Sequence, residues 1–284
     1  MDKLFIFFQQ LVPQHLLSRC TGWLADLEHP AWLKNWVIGR FIAHFRVDMS
    51  EAAEPDPARY ANFNAFFTRP LKEGARPIAT ADLVCPADGA ISQLGAISEG
   101  RIFQAKGQDF SVVELLGGDP AWAARFADGA FATIYLSPRD YHRVHMPLDG
   151  QLLATTYIPG DLFSVNAVTA EHVERLFARN ERLVCYFDTG FGPMAMILVG
   201  AMVVAGIDTV GSGQVAPPPG PPVSHDYRQL PAPVTLARGE EMGRFRLGST
   251  VILLFPRDTI EWDARYRSGS ATTLGEPLGA RVQG

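Results

Sequence analysis

The sequence predicts an α+β fold, with a β-rich core preceded by an N-terminal amphipathic helical segment. Three observations carry this reading. Aromatic and aliphatic side chains are concentrated in residues 1–47 at helical spacing. From Ser50 onward the texture changes to short apolar runs punctuated by Gly and Pro, which is the pattern of strands and turns. Helical spacing in that second part is confined to three short stretches, so alternating βαβ units are not expected. A chain of 284 residues can bury a full core without disulfide staples. A hydrophobic fraction of 47%, a charged fraction of 19% and a mean hydropathy of +0.04 exclude disordered and collagen-like architectures.

In residues 1–47 the apolar side chains include Phe5, Phe7, Phe8, Leu16, Leu17, Trp23, Trp32, Trp36 and Phe41, and three of the five tryptophans lie here. Pro13 and Pro30 divide the segment into three short helices, the last with Leu33, Val37, Phe41 and Phe45 in one line. Lys3, Arg19, Lys34, Arg40 and Arg46 outnumber Asp2, Asp26 and Glu28, giving a local charge of +2 against −5 for the whole chain. Aromatic-rich, mildly basic helices of this kind can lie in the plane of a membrane, and they can equally cap a soluble domain. Deleting residues 1–47 separates the two readings, by release from membranes or by unfolding. No run of ~20 apolar residues is present to span a bilayer. The longest uncharged apolar stretch, Met194 to Ile207, has fourteen residues and two glycines and reads as buried sheet. Leu4 to Phe8 is followed at once by Gln9 and Gln10 with no small-residue cleavage site, unlike a signal peptide.

Residues 48–284 read as one domain. Strands are expected at 131–136, 150–158, 196–199 and 251–255, and helices at 60–67, near 110–116, and at 169–177. No glycine pattern for a nucleotide opens a helix, and the proline run 217–222 reads as loop. The acidic balance argues against nucleic acid as a partner. Cys20, Cys85 and Cys185 form an odd set without a CxxC pair, so they read as small buried hydrophobes, and no metal site is expected.

Polar groups able to do chemistry stand in three separate contexts: Asp88 in Cys85-Pro-Ala-Asp-Gly89, His142 and His145 in a run flanked by Pro138 and Pro147, and Ser249 in Leu247-Gly-Ser-Thr250. Asp, His and Ser together are the elements of a nucleophilic triad, which geometry defines rather than chain order. Ser249 enters an apolar strand directly and lacks the Gly-x-Ser-x-Gly elbow of an ordinary hydrolase. A Gly-Ser turn is the plain alternative. The two histidines, three apart in extended chain, fall on opposite faces, so separate roles fit better than a shared metal. A structural histidine stays open for either.

Taken together, these motifs resemble the bacterial membrane-associated phosphatidylserine decarboxylases, which are pyruvoyl-dependent. The resemblance runs through the N-terminal helices, Phe63-Asn-Ala-Phe-Phe-Thr-Arg-Pro70, Pro86-Ala-Asp-Gly89, Tyr141-His-Arg-Val-His-Met-Pro147, Pro159-Gly-Asp-Leu-Phe-Ser-Val-Asn166, Phe187-Asp-Thr-Gly-Phe-Gly-Pro-Met194 and Gly243 to Thr250. It implies self-cleavage between Gly248 and Ser249, with Asp88, His145 and Ser249 as the triad and Ser249 converted to the pyruvoyl cofactor that binds substrate as a Schiff base. It further implies His142 as proton donor in decarboxylation and Ser164 as a substrate contact. The implied product is a heterodimer of a β chain (1–248) and an α chain (249–284), open to further pairing. Its substrate is phosphatidylserine, met peripherally at the cytoplasmic face of an anionic cell membrane. A lipid hydrolase with an intact chain, or a non-catalytic membrane-surface module indifferent to Ser249, are the rival expectations.

Overall fold

The structure is a computed structural model that describes residues 14–105, 107–201, 206–210, 213–215, 221–246 and 249–282. Its centre is a nine-stranded antiparallel sheet. In spatial order the strands are Val223–Asp226, Gly150–Ile158, Arg182–Thr189, Gly192–Gly200, Ser249–Phe255, Ala130–Leu136, Gly89–Ala96 and Ala271–Thr272, with Val234–Leu236 also paired to the 150–158 strand. All four strands expected from the sequence are present. The central ones read as unbroken apolar runs because the sheet is covered on both faces, which is uncommon for antiparallel pairing. Val251, Leu253 and Phe255 join one core cluster while Ile252 and Leu254 join the other, and all five are fully buried. Cys85 and Cys185 are buried free thiols in the first cluster.

A second sheet holds Gly213–Gln214, Ile207–Thr209, Glu241–Phe245 and Arg143–His145 in that order. The chain therefore leaves this sheet at Phe245 and enters the large sheet at Ser249. Two of the three short helical stretches start later than the apolar spacing suggests, and the third starts earlier, at Ala167, because polar caps set their ends. Asn62 accepts from Ala65 N to start Phe63–Phe67, and Ser111 and Glu114 form a capping box on Val112–Leu115. The stretch expected at 169–177 is two helices, Ala167–His172 and Leu176–Arg179. Extended Val173 and left-handed Arg175 (φ 53°) interrupt it.

Of the three expected N-terminal helices, the first lies outside the described residues, and the others are Gln14–Ala25 and Ala31–Phe45. The predicted line on the latter is corrected. Ile38 is its one fully buried side chain, packed with Phe41, Ile42 and Phe45 against Phe63, Phe66 and Phe67, whereas Val37 is exposed. Leu33, Trp36 and Val37 instead help to line an open apolar hollow of about 700 Å³, shared with Leu24 from the preceding helix. Trp23, Trp32 and Trp36 are 66, 70 and 61% exposed, so among the described residues this face has no partner. No helix among the described residues is long and apolar enough to cross a membrane.

Candidate active site

The two sheets converge where the 249–255 strand begins. The backbone of Ser249 lies in register between Leu136 and Gly200. Leu136 leads into the loop that carries His142. Gly200 accepts from Asn180 Nδ2 at 2.9 Å, and the same amide group donates to Phe163 O at 2.8 Å. The loop bearing half-buried Ser164 is thereby tied to this end of the sheet. On the other side of the crossover, Phe245 N donates to His142 O at 3.0 Å, and Glu241 pairs with His145. Asp88 arrives on the chain just before the 89–96 strand. A Cβ at Gly89 would lie 2.3 Å from Tyr135 O, so a glycine is needed for that strand to press so closely on the 130–136 strand. Topology thus gathers Asp88, His142, His145 and Ser164 around the crossover. Of the expected cleavage pair, Gly248 and the side chain of Ser249 lie outside the described residues.

His145 has its Nδ1 2.9 Å from Gly239 O, which can only accept, so the proton of the neutral ring sits on Nδ1. Nε2 is left as the basic lone pair, and it faces Tyr141 OH at 3.1 Å. Burial holds the ring below the ordinary imidazole value and therefore neutral, able to take a proton. Burial also pushes the Tyr141 hydroxyl up to about 12, so it donates rather than ionises.

The structure does not form the expected Asp88–His145 hydrogen bond. Asp88 accepts from Arg76 Nε at 3.0 Å and Nη2 at 2.7 Å, and from Leu274 N at 2.8 Å. The guanidinium also grips Glu51 at 2.9 and 2.7 Å, and these two carboxylates, Glu51 first, raise the arginine further. A charge-assisted fork outcompetes a neutral imidazole for a carboxylate. The carbonyl of Gly239 takes the orienting position instead, and Asp88 reaches His145 only through space. The sequence carries no signal for that carbonyl, 94 positions along the chain, because any residue supplies one.

His142 is fully buried and stacks on Phe67 with centroids 4.0 Å apart. Its Nε2 donates to Ser137 O at 3.0 Å, while Nδ1 has no partner. Burial, and after it the charge of Arg69, push its pKa to about 3. The ring is thus neutral and can accept at Nδ1. A ring with so low a pKa does not carry the acidic proton that the expected donor role needs. The two histidines do address different partners. Next to Ser249, the hydroxyl of fully buried Thr250 also lacks a partner. His142 Nδ1 and the Thr250 hydroxyl are each a buried polar atom whose hydrogen-bonding capacity is unmet. Among the described residues, no group of three or more His, Cys, Asp or Glu could hold a metal ion.

A family model described as phosphatidylserine decarboxylase matches residues 63–280. The chain belongs to that family. A second model, described as PSD, matches residues 4–46. The phosphatidylserine decarboxylase proenzyme of Alcanivorax borkumensis is 56% identical over 282 residues, covering 98% of this chain and 96% of the relative. The proenzymes of Stutzerimonas stutzeri and Azotobacter vinelandii are 56% and 55% identical over 281 residues each, covering 98% of this chain and 94% and 98% of theirs.

Proposed function

We propose that the chain is the precursor of a self-processing phosphatidylserine decarboxylase that forms phosphatidylethanolamine. The observation that carries this reading is the arrangement of His145, a buried neutral base with Nδ1 anchored and its Nε2 lone pair held by the exchangeable Tyr141 hydroxyl, in the strand paired with the one that leads into Gly248 and Ser249. The names of the relatives support the substrate and the proenzyme state.

In maturation, His145 Nε2 takes the hydroxyl proton of Ser249 as its Oγ attacks the Gly248 carbonyl carbon. The bond from that carbon to Ser249 N then breaks, the freed amine takes the proton back from His145, and the peptide becomes an ester. Loss of the Ser249 α-proton and of the Cβ–Oγ bond expels the Gly248 carboxylate and leaves dehydroalanine at 249. One water then enters and one ammonia leaves, which yields the N-terminal pyruvoyl group. Gly239 O steadies the imidazolium that forms. Asp88, held by Arg76, adds negative charge nearby rather than a direct bond. The products are chains 1–248 and 249–284, which form a heterodimer around one core.

The pyruvoyl group supplies an electrophilic carbonyl for the substrate amine and a sink for the electrons released as carbon dioxide departs. The chain's part is to bind, orient and move protons. His142 is assigned to protonation of the product carbon. To act as an acid it must first gain a proton, and a bound anionic headgroup that offsets the nearby arginine charge moves it in that direction. Ser164 is assigned to the substrate, on the loop tied to Gly200. Residues 1–47 form a membrane-association segment for residues 48–284, with the exposed tryptophans at the headgroup level of an anionic cytoplasmic leaflet.

One denaturing gel with a decarboxylation assay tests the reading. The wild-type chain is expected to yield a fragment of about 4 kDa and to release carbon dioxide from phosphatidylserine. Ser249→Ala is expected to abolish both. An active, intact chain would overturn it.

A further inference from the structure

Two arginines are buried to the same degree, each 3% exposed, and they differ in what satisfies them. Arg182 donates to three carbonyls, Leu115 O at 2.7 Å, Asn180 O at 2.8 Å and Glu114 O at 2.6 Å. Arg69 has one long bond, from Nη2 to Arg139 O at 3.3 Å, and its Nε and Nη1 have no partner. A buried cation with unused donors is rare and calls for a ligand, because each unmet donor has lost its water. The motif that supplies Arg69, Phe63 to Pro70, is otherwise without a role in the reaction.

Arg69 lines a cleft of about 190 Å³ that also includes Arg46, Arg139, Asp88 and Tyr141. The carboxylates there are engaged: Asp88 and Glu51 by Arg76, Asp140 by Ser137, and Asp48 by Ser50 N. These four carboxylates equal the four arginines of the lining in number, but none of them takes a hydrogen bond from Arg69, whose donors stay open to the cleft. Arg46 ends the 31–45 helix, whose Leu33, Trp36 and Val37 help to line the apolar hollow. One helix thus joins an apolar hollow to an anion-ready cleft, and the cleft reaches the loop of Tyr141 and His142. That sequence of environments matches an amphiphile with an anionic headgroup.

We propose that Arg69 binds the phosphodiester of the lipid headgroup. The proposal rests on the decarboxylase reading and assigns the part of the substrate that reading leaves without a partner. A planar fork on a tetrahedral oxyanion is favourable hydrogen-bond geometry. The substrate carboxylate is the other anion available, but a guanidinium paired to it would hold its electrons in place and oppose loss of carbon dioxide. The phosphodiester carries a charge that the reaction does not change.

Binding is measured on the uncleavable Ser249→Ala precursor with glycerophosphoethanolamine, which has the phosphodiester and no carboxylate, and with free serine, which has the reverse. The precursor is expected to bind one glycerophosphoethanolamine, and Arg69→Gln in that background to weaken it about tenfold or more, with serine binding neither. In the cleaved enzyme, Arg69→Gln is expected to raise KM for phosphatidylserine by a similar factor with the fragment of 249–284 still formed. Unchanged binding, or loss of serine binding instead, overturns the proposal. If Arg69→Gln does not fold, inorganic phosphate soaked into crystals of the Ser249→Ala precursor must lie on the Arg69 guanidinium, and phosphate elsewhere only, or none, overturns it. A wild-type chain that neither cleaves nor releases carbon dioxide defeats the decarboxylase reading by itself, whatever the precursor binds.

Discussion

At the scale of residues, the site separates two histidines by environment. His145 is neutral with its proton fixed on Nδ1, so His145→Ala is expected to slow appearance of the 249–284 fragment by about 10²–10⁴, the usual loss for a positioned base. Because burial lowers its pKa, the base is already unprotonated at neutral pH. The cleavage rate of wild-type precursor is therefore expected to fall on acidification only below the ordinary imidazole value of about 6.5, and a midpoint above that value would contradict the assignment. His142→Ala is expected to leave cleavage intact and to abolish carbon dioxide release, read from the same samples by gel and by gas evolution. Blocked cleavage would refute that division of labour. The sequence pointed to both histidines and to Asp88 because those residue types stand in apolar or turn-forming contexts, and to Ser164 only through the family resemblance. It could not point to Gly239, whose contribution is a backbone carbonyl, nor foresee that Arg76 would claim the carboxylate of Asp88.

At the scale of elements, the site is made by strand pairing. Alternation and apolar runs in the sequence foretold strands at 131–136, 150–158, 196–199 and 251–255, since a sheet buried on both faces writes itself as continuous hydrophobicity. The crossover between two sheets was not legible, because pairing partners such as Ser249 with Gly200 are chosen by tertiary register. Gly89 offers a direct test of that register. A methyl group there meets Tyr135 O at 2.3 Å, and neighbouring Thr250 pairs with Tyr135 on the other side. Gly89→Ala is expected to cost about 1–3 kcal/mol in denaturant unfolding of the Ser249→Ala precursor and, in the cleavable chain, to slow cleavage. Unchanged values for both would show that the close approach has no bearing on the site. The N-terminal helices were foreseen as amphipathic, yet the buried anchor proved to be Ile38, because the helix is clamped from one side by Phe63, Phe66 and Phe67.

At the scale of the whole molecule, the apolar excess has two destinations. One is the double-faced core, where Val251 to Phe255 alone represent about 8–15 kcal/mol of burial, comparable to the stability of an entire domain. A 36-residue piece held by that strand is expected to stay bound after cleavage. The other is the face of Trp23, Trp32 and Trp36, which no other described residue covers. Trp32→Ser with Trp36→Ser is expected to reduce flotation with phosphatidylglycerol-containing vesicles at least fivefold while leaving self-cleavage unchanged, the ordinary effect of removing interfacial aromatic anchors. Equal flotation would place the membrane contact elsewhere. The central claim, that Ser249 is both nucleophile and precursor of the catalytic group, is tested most directly by the mass of the 249–284 fragment from wild-type protein. A fragment lighter by one ammonia than a serine terminus requires is the result this mechanism predicts. A fragment that keeps an intact N-terminal serine, in a preparation that decarboxylates phosphatidylserine, would contradict it.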